Sequence, residues 1–244
     1  MKLAVLALAA LLGIPLAAAA AAEPSECHVP DELSQIAVSL PHLATRLHDK
    51  DPVTIVAIGG ASTAGAAAGS PDLSYPARLR EALAADFPKS TIRVVNKGVP
   101  RQSAQQQLER FPSDVIAEDP VLVIWETGTV DAVHDIQIDD FAGALQHGID
   151  QLKNRAIDII LVDMQFSHST AAMIDFQRYL STLHRVGELD DIYVFPRFAM
   201  MRYWSEQNMF NFDGVVAEER AKLAARVYDC LGRRLAHSIR LAIP

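Results

Sequence analysis

The chain predicts a doubly wound α/β fold, a five-stranded parallel sheet with helices on both faces, from three observations. Five short segments between residues 51 and 195 are apolar on consecutive positions. That is the pattern of parallel strands buried on both faces. Stretches with helical spacing separate them, and alternating strand and helix is the signature of a parallel sheet. The length of the chain beyond residue 22 suits one domain with a sizeable core.

The elements follow in order. Met1-Lys2 precedes an apolar run from Leu3 to about Leu16 and an Ala-rich end at Ala22. One basic residue, a short apolar core and Ala-x-Ala options predict a cleaved secretory signal peptide over 1–22. The alternative is a membrane anchor, but the apolar core is shorter than the ~20 residues a spanning helix needs. Residues 23–50 read as an arm. Leu33, Ile36, Ala37 and Leu40 recur at helical spacing before Pro41, and Leu43 and Leu47 suggest a further turn. Residues 51–244 form the main domain. Its candidate strands are 53–58, 92–95, 121–125, 157–162 and 192–195. Helical stretches lie near 73–86, 101–110, 139–153, 170–186 and 217–239. In the first of these, Leu73, Ala77, Leu79, Leu83 and Phe87 give a broad apolar face. No internal repeat is visible.

Net charge is -8, one more negative once Lys2 is removed, and no Lys/Arg cluster stands out. Nucleic acid is therefore not an expected partner, because phosphate binding needs a basic footprint. The two cysteines, Cys27 and Cys230, read most simply as one disulfide formed in an oxidising compartment. Two free buried thiols are the alternative. Neither cysteine has a His or Cys at zinc spacing, so no metal is expected.

In doubly wound sheets ligands sit at the carboxyl ends of the strands. The loops to read are 59–65, 96–103, 126–135, 163–169 and 196–216. Gly60 and Gly65 have Walker spacing, but Ala66-Ala67 replace the lysine and the hydroxyl. The dinucleotide glycine pattern is absent, and the second strand ends at Asn96 rather than at an acidic ribose ligand. No cofactor is expected.

Four segments carry a resemblance. Gly59-Gly60-Ala61-Ser62-Thr63-Ala64-Gly65 resembles the first motif of the SGNH (GDSL-type) hydrolases, which in some secreted members reads Gly-Ser-Ser-Ser-Thr-Ala-Gly. Asn96-Lys97-Gly98 resembles the second, Asn-x-Gly. Trp125-Glu126-Thr127-Gly128-Thr129-Val130-Asp131 resembles the third, Gly-x-Asn-Asp. Phe212-Asp213-Gly214-Val215-Val216 resembles the last, Asp-x-x-His. The order matches, and the resemblance spans about residues 51–240. It implies a three-layer α/β/α, flavodoxin-like SGNH-hydrolase fold.

The resemblance also implies acyl-transfer chemistry. A serine attacks an ester, a histidine oriented by an aspartate takes its proton, and backbone N–H groups with an asparagine bind the oxyanion. Carried over, these positions are Ala61 (nucleophile), Gly98 (N–H donor), Val130 (asparagine), Asp213 (aspartate) and Val216 (histidine). Three of the side chains cannot perform their role. Losing a triad serine or histidine alone costs roughly 10⁶-fold in turnover. The expectation is a catalytically degenerate envelope protein that binds an acyl, glycan or protein ligand in the former cleft. Gly60, Ser62, Thr63, Gly98, Thr129 and Asp131 are its candidate ligand contacts.

Two alternatives belong to other classes. One is an active esterase in which Ser62 works with His134 or His168. The other is a scaffold subunit of an envelope complex. His147, His184 and His237 fall on predicted helices and read as surface or packing residues. Tyr203, Trp204 and Phe210 either wall the pocket or pack in the core. Asp213 is a good N-cap for the last helix.

Overall fold

The computed structural model describes residues 25–243 apart from Asp213, and only the backbone of Ser25 and Ser169. The expected signal peptide and the expected roles of Asp213 lie outside the described residues. Five strands form one sheet: β1 (Val53–Gly59), β2 (Ile92–Gly98), β3 (Leu122–Glu126), β4 (Asp158–Val162) and β5 (Tyr193–Phe195). Their order is β2-β1-β3-β4-β5, and every pairing is parallel. This is the predicted α/β architecture, and the order reverses between β1 and β3. The second strand is longer than its apolar run. It continues through Asn96-Lys97-Gly98 because each of its residues pairs with β1, ending with Gly59 beside Gly98.

Ten helices accompany the strands among the described residues: α1 (Pro41–Asp49), α2 (Ala61–Ala64), α3 (Tyr75–Asp86), α4 (Ala104–Glu109), α5 (Thr129–Val133), α6 (Ile138–Lys153), α7 (His168–Ala171), α8 (Gln177–Leu189), α9 (Arg197–Glu206) and α10 (Ala217–Leu241). Strand side chains alternate between two cores, as the pleat dictates. Val53, Ile55 and Ala57 face the core under α3, α9 and α10. Val56, Ile58, Val123 and Trp125 face the core under α4, α6 and α8.

Several expectations need correction. The helix expected before Pro41 starts at it. Residues 34–40 are irregular, and Pro41 occupies the first helical position, where its fixed φ and missing N–H are favourable. The N–H of Leu43 in that first turn is capped from afar by the Asp158 carboxylate at 2.8 Å. The stretch 170–186 divides into α7 and α8, separated by residues 172–176. Residues 197–206, read as loop, form α9. The N-cap of α10 is Val216, which contributes no side-chain bond.

Cys27 and Cys230 form a disulfide. It fixes the arm to α10, and both residues are fully buried in the α10-side core. The Trp204 indole N–H also holds the arm, donating to the His28 carbonyl at 2.9 Å. No described helix is long and apolar enough to cross a membrane.

Candidate functional site

The 59–65 loop leaves β1 and turns at once into α2. Beneath it lies a buried polar cluster built on Glu126, the last residue of β3. Its Oε2 accepts from the Gly60 N–H (3.0 Å), the Thr63 N–H (3.2 Å) and the Thr63 hydroxyl (2.7 Å). Its Oε1 accepts from Arg197 Nη2 at 3.1 Å, and both partners of this ion pair are buried. Burial by itself raises the Glu126 pKa. The Arg197 guanidinium, the Thr63 hydroxyl and the Gly60 and Thr63 N–H groups outweigh it, so the net shift is downward and Glu126 is a carboxylate. The Thr63 hydroxyl is also 3.0 Å from the Tyr75 phenol, whose pKa burial pushes up. A side chain at position 59 would meet Thr63 Oγ1 at 2.2 Å, so glycine there lets the carboxylate reach the loop.

Ser62 is buried. Its hydroxyl donates to Gln165 Oε1 at 3.0 Å and interacts with the Tyr228 phenol. No histidine bonds to it among the described residues. Ala61 is exposed at the start of α2.

The second motif is folded into the scaffold. The Gly98 N–H donates to Asn96 Oδ1 at 2.9 Å. Asn96 Nδ2 in turn donates to the Thr63 carbonyl (2.6 Å) and the Ser74 hydroxyl (3.2 Å). A Cβ at position 98 would lie 2.2 Å from the Ala64 nitrogen. The close approach of β2 to α2 therefore accounts for this glycine whether or not a ligand binds.

The third motif enters α5 through Gly128, at φ 92°. Both oxygens of buried Asp131 accept from the Ala104 N–H at 3.1 Å, clasping α5 to the start of α4. Burial raises the Asp131 pKa, and the Ala104, Asp131 and Gly128 N–H groups oppose the rise.

These loops enclose a cavity of about 170 Å³ outside the carboxyl ends of β1 and β3. Gly60, Ala61, Ser62, Thr129 and Val130 meet there, joined by Thr127 and Gln165. Thr127 Oγ1 and Thr129 Oγ1 are buried and have no hydrogen-bond partner among the described residues.

Other predicted site residues lie elsewhere. Thr63 and Asp131 are committed to the bonds above. His134 lines an open groove with Asp139 and His147. His168 lines a separate cavity of about 440 Å³, walled by Phe166, Trp204, Phe210 and Phe212. Trp204 and Phe210 are thus core residues and pocket walls at once, in edge contact at 5.7 Å. Val216 is 68% exposed. His184, which reads as a surface or packing residue, bonds the buried Asp163 carboxylate at 3.1 Å. Burial raises the Asp163 pKa, and His184 and the Phe198 N–H oppose the rise.

Glu126 and Arg197 were missed as partners. A carboxylate ending the apolar run Leu122-Val123-Ile124-Trp125 is the signal that was available for Glu126. Nothing local marks Arg197, which reaches Glu126 across 71 residues. Among the described residues no group of three His, Cys, Asp or Glu side chains is arranged to hold a metal ion.

The model of the non-GDSL lipase-like family matches residues 26–244. No curated protein matches. Among solved structures, the chain resembles a protein assigned to the G-D-S-L family from Desulfitobacterium hafniense, with 22% identity and a TM-score of 0.52, covering 72% of this chain and 99% of that one. An acetylxylan esterase from Geobacillus stearothermophilus gives 19% identity and a TM-score of 0.57 over 72% and 92% of the two chains. An α/β hydrolase from the metagenome of Lake Arreo, Spain, gives 18% identity and a TM-score of 0.57 over 75% and 98%. These likenesses establish the fold.

Proposed function

We propose, from the premise that this chain belongs to the non-GDSL lipase-like family and has the SGNH/GDSL hydrolase fold, that it is a non-hydrolytic member, a binding protein of the cell envelope. The observation that carries this reading is the commitment of Ser62. Its hydroxyl is next in sequence to the vacated nucleophile position, and Gln165 holds it where an esterase would need a histidine. Ala61 offers no nucleophile, Val130 no donor and Val216 no base. An unactivated serine hydroxyl is a weak nucleophile, since the triad histidine is what takes its proton. Export is supported by the signal-like N-terminus and by the disulfide, which persists in oxidising compartments.

The test is esterase assay of the purified, disulfide-bonded protein on p-nitrophenyl acetate and butyrate. The expected rate equals background and is unchanged by Ser62→Ala, and a fluorophosphonate probe leaves Ser62 unlabelled. Saturable hydrolysis abolished by Ser62→Ala overturns the reading.

A further inference from the structure

We propose that the 170 Å³ cavity above Ala61 is a receptor site for a short-chain carboxylate, with Arg101 as its charged anchor. The proposal rests on the non-hydrolytic reading of the same cleft. Three observations carry it.

The first is size and wall chemistry. A cavity of about 170 Å³ is well below the roughly 300–1,000 Å³ of pockets for drug-sized ligands. Gly60, Ala61, Gly128 and Val130 give it small apolar walls. Ala61 and Val130 stand where the resemblance places a hydroxyl and an amide, so the space is shaped for a few carbons rather than for a reacting group.

The second is charge. Among the described residues two charged side chains line the cavity, Glu126 and Arg101. Glu126 is already matched: Oε2 receives three donors and Oε1 the Arg197 guanidinium. Arg101 forms no ion pair among the described residues. It stands at the mouth with φ 68°, a left-handed conformation rare for a non-glycine residue. A guanidinium binds a carboxylate through two parallel N–H donors.

The third is the pair of threonines. Thr127 is 2% exposed, and its hydroxyl, like that of Thr129, has no partner among the described residues. A buried hydroxyl left unbonded is costly, and natural structures rarely keep one without a use. Both residues line the cavity. The cavity also lies at the topological switch point between β1 and β3, where doubly wound sheets bind ligands.

The experiment is an NMR titration of the disulfide-bonded protein with sodium butyrate at fixed ionic strength, reading backbone amides. Saturable shifts are expected at residues 60–62 and 127–130. Arg101→Gln, at an exposed position, is expected to weaken binding by about tenfold or more. Butyramide, the neutral isostere, is expected to bind about tenfold more weakly. Val130→Phe, which fills the cavity, is expected to abolish the shifts. Absence of saturable shifts, equal affinity for butyramide, or unchanged binding by Arg101→Gln each overturn the proposal. None of these outcomes touches the esterase assay, which reads Ser62, so the two readings fail separately.

Discussion

The two sides of the 59–65 loop differ in kind. Below it, Glu126, Arg197, Thr63, Tyr75 and Asn96 form a dense set of bonds that fixes the backbone of β1, β2 and α2. Above it stand Ala61 and Val130, and Val216 lies apart at the N-cap of α10. They make no hydrogen bond through their side chains, and Ala61 and Val216 are exposed. The lower side is constrained by stability, because a buried charge must be matched. The upper side carries no such demand. A nucleophile loop can therefore lose its chemistry while keeping its shape, since different residues hold each.

The largest test of this contrast is Glu126→Leu, which leaves Arg197 buried without its counter-ion. Breaking a buried pair on one side costs about 3–5 kcal/mol. The double replacement Glu126→Leu/Arg197→Met is expected to recover most of that in urea denaturation. If Glu126→Leu alone costs under about 1 kcal/mol, the lower side is not the constraint claimed. Gly98→Ala comes next. Its Cβ would press on backbone at 2.2 Å, and overpacking of this sort costs about 1–3 kcal/mol.

A pH series sharpens the same point. The folded-state pKa of Glu126 lies below its ordinary value of 4.5. Its contribution is therefore complete above that value and is lost as pH falls through the folded pKa. The Tm gap between wild type and Glu126→Gln should stay level from pH 7 to pH 5 and narrow below about 4.5. A gap that widens on acidification contradicts the assignment. The smallest effects belong to the upper side. Ala61→Ser, Val130→Asn and Val216→His should each change stability by no more than about 0.5 kcal/mol. Ala61→Ser alone should leave ester turnover at background, because it restores a hydroxyl without a base.

Much of the sheet was legible from consecutive apolar runs. All five strands stand close to where those runs lie, and the sheet is parallel. The errors have physical causes. Pro41 read as a terminator, yet proline is equally at home at the first helical position. Helix α9 buries Arg197, Met200 and Trp204, and a stripe that opens on an arginine does not read as apolar. The start of α4 was written in Ser103 and Gln106, which form a reciprocal capping box. Within the site, motif spacing brought Gly60, Ala61, Ser62, Thr129 and Val130 to one cavity. The bonding of Ser62 to Gln165 and of Glu126 to Arg197 was out of reach, because each links segments far apart in the chain with no periodic pattern to betray it.

The disulfide has a topological consequence. Cys27 and Cys230 are 203 residues apart, so the covalent bond turns nearly the whole domain into a closed ring. The arm and α10 are the clasp of that ring. A protease that cuts any single exposed turn between them opens the ring without releasing a fragment. Every strand and every residue around the cavity stays on one covalent molecule until the clasp is reduced.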